Sequence, residues 1–169
     1  MNDTYDLPQL RREIARDEGD KLTVYRCTAG KLSIGKGRNL DDVGISADEM
    51  KALGITVASC IKNGITQAQS DALFDHDIAR SERDLDKNLP WWRKLDKVRQ
   101  RVMLNMCFNM GVGSAKTGKG LLGFVNTLKL IQIGQYAKAA DGMATSKWDR
   151  QVGIRADRLE AMMRTGKAV

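Results

Sequence analysis

Apolar residues recur along most of the chain at intervals of three and four positions, which is the period of an amphipathic α-helix. The first such stretch, LPQLRREIARDEG, places Leu10 and Ile14 on one face. Pro8 suits the first turn of this stretch, and Gly19 suits its end. The pattern therefore predicts a first helix over residues 7–17.

The period changes after this helix, where KLTVYRC and KLSIGKG are short runs of β-prone residues. A three-residue link that ends in Gly30 separates the two runs, and a short link containing glycine is typical of a β-hairpin. The helical period returns at ISADEMKALG, where Ser46 and Glu49 have the spacing of a capping box. The sequence therefore predicts one small hairpin in a mostly helical chain.

A longer helical segment follows, over about residues 66–88. Thr66 and Gln69 form a second capping-box pattern, and Pro90 marks the end. The next stretch, LDKVRQRVMLNMCFNMG, is apolar around much of its circumference, which is typical of a buried core helix. Three more helices are predicted after it, at GLLGFVNTLKLIQIG, QYAKAADGMATS and DRQVGIRADRLEAMMRTG.

These elements predict an α+β protein that is mostly α and has two lobes. The small N-terminal lobe, at about 15–65, carries the hairpin, and the long helix at 66–88 connects it to the other lobe. The all-helical C-terminal lobe spans about 90–169 and includes the first helix, 7–17. The 169 residues suit a single domain with a proper core.

The chain is basic, with 28 lysines and arginines against 21 acidic residues and a net charge of +7. This charge favours an anionic partner, such as nucleic acid, a membrane surface or a bacterial wall polymer. No stretch interleaves aromatic residues with clustered basic ones, which disfavours nucleic acid. The opening MNDTYDLPQL has neither the charged nor the apolar part of a secretory signal, so none is expected.

The residues that commonly bind metals are sparse and badly spaced. Cys27, Cys60 and Cys107 lie far apart, and the single histidine, His76, cannot complete a zinc site with them. No metal and no cofactor are therefore expected, and the thiols are expected to be reduced. His76 is expected to be a surface residue on the long helix.

Glu18 is the first candidate for chemistry. It stands at the end of the first predicted helix, where the negative end of the helix dipole favours a protonated carboxyl. Burial in a cleft would act in the same direction, and a protonated carboxyl is what a general acid needs. From this residue alone, a surface glutamate near a helix end is the simpler interpretation.

A wider pattern resembles the phage-type lysozymes, glycoside hydrolase family 24. Glu18, Cys27 and Ser33, followed by IGKG, are similar to the catalytic signature of that family. The resemblance extends over most of the chain, through NMCFNMG, GFVNTL, SKWDRQVGIRADR and RTG. It implies a lysozyme-like fold and hydrolysis of the β-1,4 bond between N-acetylmuramic acid and N-acetylglucosamine in peptidoglycan.

The resemblance also implies roles for individual residues. Glu18 would protonate the glycosidic oxygen, and Ser33, where the family has threonine, would help to hold the water. Arg155 would pair with Glu18 across the cleft. The residues expected at the substrate groove are Gly37, Phe108, Asn109, Thr127 and Arg155. For Phe108 a core position is an equally good interpretation. Arg38 is expected to form a structural pair with Asp77 on the long helix.

At the position of Cys27 the family usually has an aspartate, although some members have a cysteine. A cysteine thiol is mostly protonated at neutral pH and is the poorer base, unless positive neighbours favour its thiolate. The nearby candidates are Arg26, Lys31, Lys36 and Arg38. Three roles stay open for Cys27: activating or orienting water, attacking C1 as a nucleophile, or filling space at a strand end.

Two other functions stay open. A lytic transglycosylase would use Glu18 without Cys27. A basic helical nucleic-acid-binding protein would use neither Glu18 nor Cys27. If the chain is an endolysin, the resemblance implies a monomer without stable membrane insertion. It would accumulate in the host cytoplasm until a holin releases it to the cell wall for host lysis.

Overall fold

The computed structural model describes residues 5–169 of the chain, and the expected α+β class is confirmed. The described part contains one antiparallel sheet with the order β1-β2-β3. Its strands are β1 Lys21–Arg26, β2 Leu32–Gly35 and β3 Arg38–Asn39. Its helices are α1 Leu7–Glu18, α2 Ala47–Leu53, α3 Val57–Asn63, α4 Gln67–Asn88, α5 Lys97–Met110, α6 Val125–Gln132, α7 Tyr136–Ala144, α8 Lys147–Val152 and α9 Ile154–Thr165.

The chain divides into two compact units. One unit is Arg12–Arg80, which holds the sheet, and the other combines the described residues up to Arg11 with Ser81–Val169. We call them the sheet unit and the helical unit. Both α1 and α4 contribute residues to each unit, because the divisions fall inside these two helices.

The sheet unit contains the predicted hairpin and a core of its own. β1 pairs antiparallel with β2, with Tyr25 opposite Ser33, and the two-residue strand β3 adds to the other edge of β2. The sequence pattern did not predict β3, which is too short to show an alternation. The core residues under the sheet and its helices are Ile34, Leu40, Ile55, Cys60, Ile65 and Leu73.

The helix starts in the sheet unit form as predicted. The Ser46 hydroxyl accepts from the Glu49 N–H, and the Glu49 carboxylate accepts from the Ser46 N–H. Thr66 and Gln69 exchange the same two hydrogen bonds at the start of α4. Each box satisfies backbone N–H groups that have no partner within the helix.

Arg38 and Asp77 form the expected pair, which is buried. Arg38 Nε lies 3.0 Å from both Asp77 oxygens. The other guanidinium nitrogens donate to Glu49 at 2.9 and 2.7 Å, a partner that the sequence did not reveal. Burial alone would raise the pKa of Glu49, but hydrogen bonds from Arg38 and the Ser46 N–H move it well below its usual range. The half-exposed His76 ring also contacts Glu49.

The helical unit is built around α5, which is buried over most of its length as predicted. The final predicted helix needs a correction. The chain forms α8 and α9 instead of one helix, because Gly153 interrupts it with a φ of 56°. The apolar spacing continues across this glycine, so the sequence pattern alone did not show the break.

Within residues 5–169, no helix combines the length and the apolar character that crossing a membrane requires. The sequence segment on which the absence of a signal was predicted, residues 1–10, lies partly outside the described residues.

Candidate active site

Glu18 is the last residue of α1, and its carboxylate lies against the backbone of Gly37. A Cβ atom at Gly37 would come within 2.7 Å of Glu18 Oε2 and 3.2 Å of Glu18 Cδ. Gly37 also has a φ of +86°, which side-chain-bearing residues rarely adopt. The backbone conformation therefore favours glycine here, and a methyl group at this position would force the Glu18 carboxylate to shift.

Residues next to Glu18 and Gly37 in the chain form hydrogen bonds and ion pairs with side chains at the start of α4. Asp20 accepts hydrogen bonds from Gln67 Nε2 at 2.6 Å and Ser70 Oγ at 2.7 Å. The Lys36 ammonium lies 2.9 Å from Asp20 and 2.5 Å from Asp71. Although partial burial opposes the charged form of Asp20, these hydrogen bonds hold its pKa below the usual value. The end of α1 and the β2–β3 link are thus fixed to a common set of side chains.

Cys27 and Ser33 meet at one carbonyl group. The Cys27 N–H donates to the Lys31 carbonyl at 3.0 Å, and the Ser33 hydroxyl donates to the same oxygen at 3.2 Å. The Gly30 N–H closes the turn onto the Cys27 carbonyl at 2.8 Å. Ser33 is buried, whereas Cys27 is partly exposed and carries a free thiol. The hairpin therefore places the two predicted residues side by side.

Tyr25 joins this group, although the sequence interpretation did not include it. Burial raises the pKa of Tyr25, and electrostatic interactions with Glu18 and Cys27 raise it further. The phenol therefore lies near both candidate residues. The sequence could have indicated Tyr25, because residues two positions apart in a strand point to the same face and Tyr25 precedes Cys27 by two positions.

The basic residues near Cys27 in sequence mostly have other partners. Lys31 pairs with Asp42 at 3.0 Å, and Arg26 donates to the Gly30 carbonyl at 2.8 Å. Lys36 and Arg38 each bind two carboxylates, as described above. Three of the four cations thus have acidic partners, and one of these three, Lys31, also interacts electrostatically with Cys27.

The helical unit contains a cavity of about 460 Å³. Its wall includes the edge-to-face pair of Phe124 and Trp148, whose ring centroids are 6.1 Å apart. Lys119 and Lys147 also contribute to the lining. A wall with two aromatic rings and two cations is suited to a ligand that combines an apolar or sugar face with negative charge. These lining residues were not among the sequence predictions, although Phe124 and Trp148 lie in two of the quoted motifs.

Two of the predicted groove residues of the helical unit, Asn109 and Thr127, contact residues that line this cavity. Asn109 Oδ1 accepts from Trp148 Nε1 at 2.8 Å. Thr127 is buried, with Oγ1 only 2.7 Å from the position of a Cβ atom at Gly142, which lines the cavity. Phe108, in the last turn of α5, is partly buried.

Arg155 belongs to the same unit and is almost fully buried. Its Nε donates to Asn105 Oδ1 at 2.9 Å, which connects α9 to α5. The pairing of Arg155 with Glu18 stays a prediction.

Three carboxylates gather at the α8–α9 junction. One oxygen from each of Asp149, Asp157 and Glu160 lies within 4.8 Å of the others, a spacing that could also hold a cation. Burial first, and then the neighbouring Asp149, raise the pKa of Glu160 to about 7. A shared proton relieves this repulsion without an ion, because a protonated Glu160 can donate to Asp149.

Comparison with known proteins places these features in context. The model of the phage lysozyme family matches residues 15–165. The probable T4-type lysozyme 1 of Dictyostelium discoideum is 30% identical over 159 residues, which cover 89% of this chain and 90% of that protein. The probable T4-type lysozyme 2 of the same organism is 26% identical over 93% of this chain and 94% of its own length. The pre-baseplate central spike protein Gp5 of Enterobacteria phage T4 is 32% identical over 90% of this chain, a match that covers 27% of Gp5.

Proposed function

Because the chain belongs to the phage lysozyme family and is a lysozyme-type muramidase, we propose that Glu18 is its general acid. The reaction is hydrolysis of the β-1,4 bond between N-acetylmuramic acid and N-acetylglucosamine in peptidoglycan. The observation that carries this assignment is the contact of the Glu18 carboxylate with the bare backbone of Gly37. A glycine at this point allows the backbone to lie directly against the acid.

Glu18 donates its proton to the glycosidic oxygen as the bond to C1 breaks. Positive charge then develops at C1 and the ring oxygen, and a water must reach the opposite face of the sugar. Glu18 needs to be protonated at the moment of bond cleavage and becomes a carboxylate afterwards.

Cys27 and Ser33 are proposed to orient that water. The Ser33 hydroxyl donates its proton to the Lys31 carbonyl, so its lone pairs are available to accept a hydrogen bond from water. Cys27 shares the same carbonyl through its N–H, and its partly exposed thiol is proposed to act together with Ser33. Orientation of water is proposed rather than nucleophilic attack, because the Ser33 hydroxyl and the Cys27 N–H share the Lys31 carbonyl and the two residues could hold one water.

The cavity of the helical unit is proposed to bind part of the same polymer. Trp148 and Phe124 offer ring faces to a sugar or an apolar side chain, and Lys119 and Lys147 offer positive charge to carboxylates. In this proposal Asn109 and Thr127 support the wall from behind, and Phe108 and Arg155 complete the binding region.

The biological setting is also proposed. The net positive charge would bring the protein to polyanionic cell walls in a salt-dependent way. We propose that the protein acts as a monomer in the lysis of a bacterial host, after release from the cytoplasm by a holin.

Mass spectrometry of the muropeptides released from purified peptidoglycan tests the reaction. Hydrolysis yields fragments with a free reducing end, whereas a lytic transglycosylase yields 1,6-anhydro ends that are lighter by one water. We expect reducing ends from the wild type and a loss of release with Glu18→Gln. Anhydro products would establish the transglycosylase, and a protein that releases no fragment is not a muramidase.

A further inference from the structure

We propose that Lys36 is a positioning residue, whose ion pair with Asp20 holds the Gly37 backbone against the Glu18 carboxylate. This inference rests on the proposed function, because it assigns Lys36 a part in the work of Glu18. Lys36 is assigned no contact with the bond that breaks or with the attacking water.

The ion pair joins the same two segments of the chain that meet at Glu18 and Gly37. Asp20 follows Glu18 by two positions, and Lys36 immediately precedes Gly37. Lys36 Nζ lies 2.9 Å from Asp20 Oδ2. A Cβ atom at Gly37 would lie 2.7 Å from Glu18 Oε2. The end of α1 and the β2–β3 link are therefore connected twice, once by an ion pair and once by close packing.

Asp20 and Lys36 belong to a closed ring of four side chains. Lys36 Nζ also contacts Asp71 Oδ1 at 2.5 Å. Gln67 Nε2 donates to both acids, at 2.6 Å to Asp20 and at 3.1 Å to Asp71. Ser70 Oγ adds a further hydrogen bond to Asp20 at 2.7 Å. Because Gln67, Ser70 and Asp71 all lie in the first turns of α4, these contacts fix the ion pair to one helix.

Lys36 carries the only side chain in the segment Gly35–Gly37. The two glycines have φ of +62° and +86°, and glycine restricts the backbone least of all residues. Gly35 lies close to α4, since a Cβ atom there would come within 2.8 Å of Ser70 Oγ. The position of Gly37 relative to Glu18 therefore depends on how the Lys36 side chain is attached.

The far end of the link has an attachment of its own. Arg38 follows Gly37 and binds the buried carboxylates of Glu49 and Asp77. Loss of the Lys36 ammonium should therefore loosen the Gly37 peptide without unfolding the sheet unit. This separates an effect on catalysis from an effect on stability.

Both partners of the ion pair are partly shielded from water. The Lys36 side chain is 12% exposed and that of Asp20 is 24% exposed. Burial opposes both charges, but hydrogen bonds from their neighbours lower the pKa of Asp20 and raise the pKa of Lys36. Both groups are therefore charged at neutral pH. Such a pair is screened less than one at an open surface, which suits it to hold a fixed distance.

The test compares Lys36→Met, Asp20→Asn and their double variant with the control Arg93→Met. Arg93 also binds two acids, Glu82 and Asp86, but in the helical unit. Denaturant unfolding shows which variants are folded, and kcat and KM are measured on peptidoglycan at the pH of maximum rate. Arg93→Met should keep the wild-type values.

For Lys36→Met and for Asp20→Asn we expect a roughly tenfold fall in kcat with KM within about twofold. The double variant should lose no more than about tenfold, because both changes remove the same pair. A wild-type kcat in either folded single variant would overturn the inference, so one of them decides the question if the other does not fold.

The pH–rate profile separates positioning from a purely electrostatic effect on Glu18. Lys36→Met removes a positive charge and Asp20→Asn removes a negative one. An electrostatic effect alone would therefore shift the alkaline limb in opposite directions and leave the maximum rates unchanged. Positioning instead lowers the maximum rate in both variants. Opposite shifts with wild-type maximum rates would overturn the inference.

The inference and the proposed function can fail separately. If the wild type releases no reducing ends, the proposed function fails, and crystal structures of the wild type and Lys36→Met decide the positioning role. We expect the separation between Gly37 Cα and the Glu18 carboxylate to increase in the variant. An unchanged separation would show that Lys36 does not position the carboxylate.

Discussion

The Cα of Gly37 lies so close to the Glu18 carboxylate that a methyl group at this position would come within 2.7 Å of Glu18 Oε2. Two constraints coincide at Gly37, a positive φ and a lack of space. The positive φ would destabilise the folded protein if any residue with a side chain replaced Gly37. The lack of space would instead displace the carboxylate of Glu18, the candidate acid. Substitutions can separate them.

Gly37→Ala is expected to abolish most of the activity, because its methyl group displaces the Glu18 carboxylate. The positive φ alone should cost about 1 kcal/mol of unfolding free energy. Gly54→Ala is the matched control, since Gly54 has a φ of +65° and nothing within 4 Å of the added methyl. Denaturant unfolding and the rate of reducing-end release are measured for both. Similar losses of activity in the two variants would contradict the role of the Glu18 contact.

Cys27 should be replaceable by a group that can accept a hydrogen bond from water. We expect Cys27→Asp to be at least as active as the wild type, and Cys27→Ala to lose about 100-fold in kcat. Iodoacetamide should inactivate the wild type through Cys27, because Cys60 and Cys107 are buried. Full activity of Cys27→Ala would show that the thiol only fills space.

The anomer of the product, observed by NMR, separates the two active roles of Cys27. Inversion at C1 is expected if the thiol orients water. Retention would indicate a covalent thioglycoside, in which Cys27 attacks C1 and water later releases the sugar.

Arg38→Leu is expected to destabilise the sheet unit by about 3–5 kcal/mol, because it removes the buried cation that the carboxylates of Glu49 and Asp77 share. Arg80→Leu is the matched control. Arg80 binds the same Asp77 at 2.7 Å, but its side chain is 42% exposed. Its loss should cost less than about 1 kcal/mol. Equal unfolding free energies for the two variants would contradict the importance of the buried network.

The carboxylates at the α8–α9 junction predict a pH dependence of stability. The pKa of Glu160 rises from 4.5 to about 7 on folding. Between these two pH values the folded protein therefore binds more protons than the unfolded chain. Stability should therefore fall as the pH rises from about 4.5 to about 7. Glu160→Gln should raise Tm at pH 8 by ~2–4 °C, a gain near 1 kcal/mol after allowing for solvent screening. Calorimetry at pH 4.5 should show no such gain, and equal gains at both pH values would contradict a shared proton.

Local rules predicted the features of this fold that depend on residues a few positions apart. The capping boxes at Ser46 and Thr66 are examples, since donor and acceptor lie three residues apart in the chain. The break at Gly153 was missed because the apolar period continues through it, and a single glycine is tolerated within many helices.

The candidate site likewise contains residues that the sequence predicted and contacts that it did not. Glu18, Cys27 and Ser33 were found through a resemblance in sequence, but the contact of Gly37 with Glu18 is tertiary. No pattern along the chain indicates that the link after β2 will reach the end of α1. Likewise, the cations near Cys27 in sequence have carboxylate partners that only the folded chain reveals.

The most direct test of the central claim is the release of reducing ends from purified peptidoglycan by the wild type, Glu18→Gln and the control Asp48→Asn. Asp48 is an exposed acid of the sheet unit, so its variant removes the same charge away from the site. We predict that Asp48→Asn keeps the wild-type rate and that Glu18→Gln, although folded, loses at least about 100-fold. A folded Glu18→Gln variant with the wild-type rate would contradict the assignment of Glu18 as the general acid.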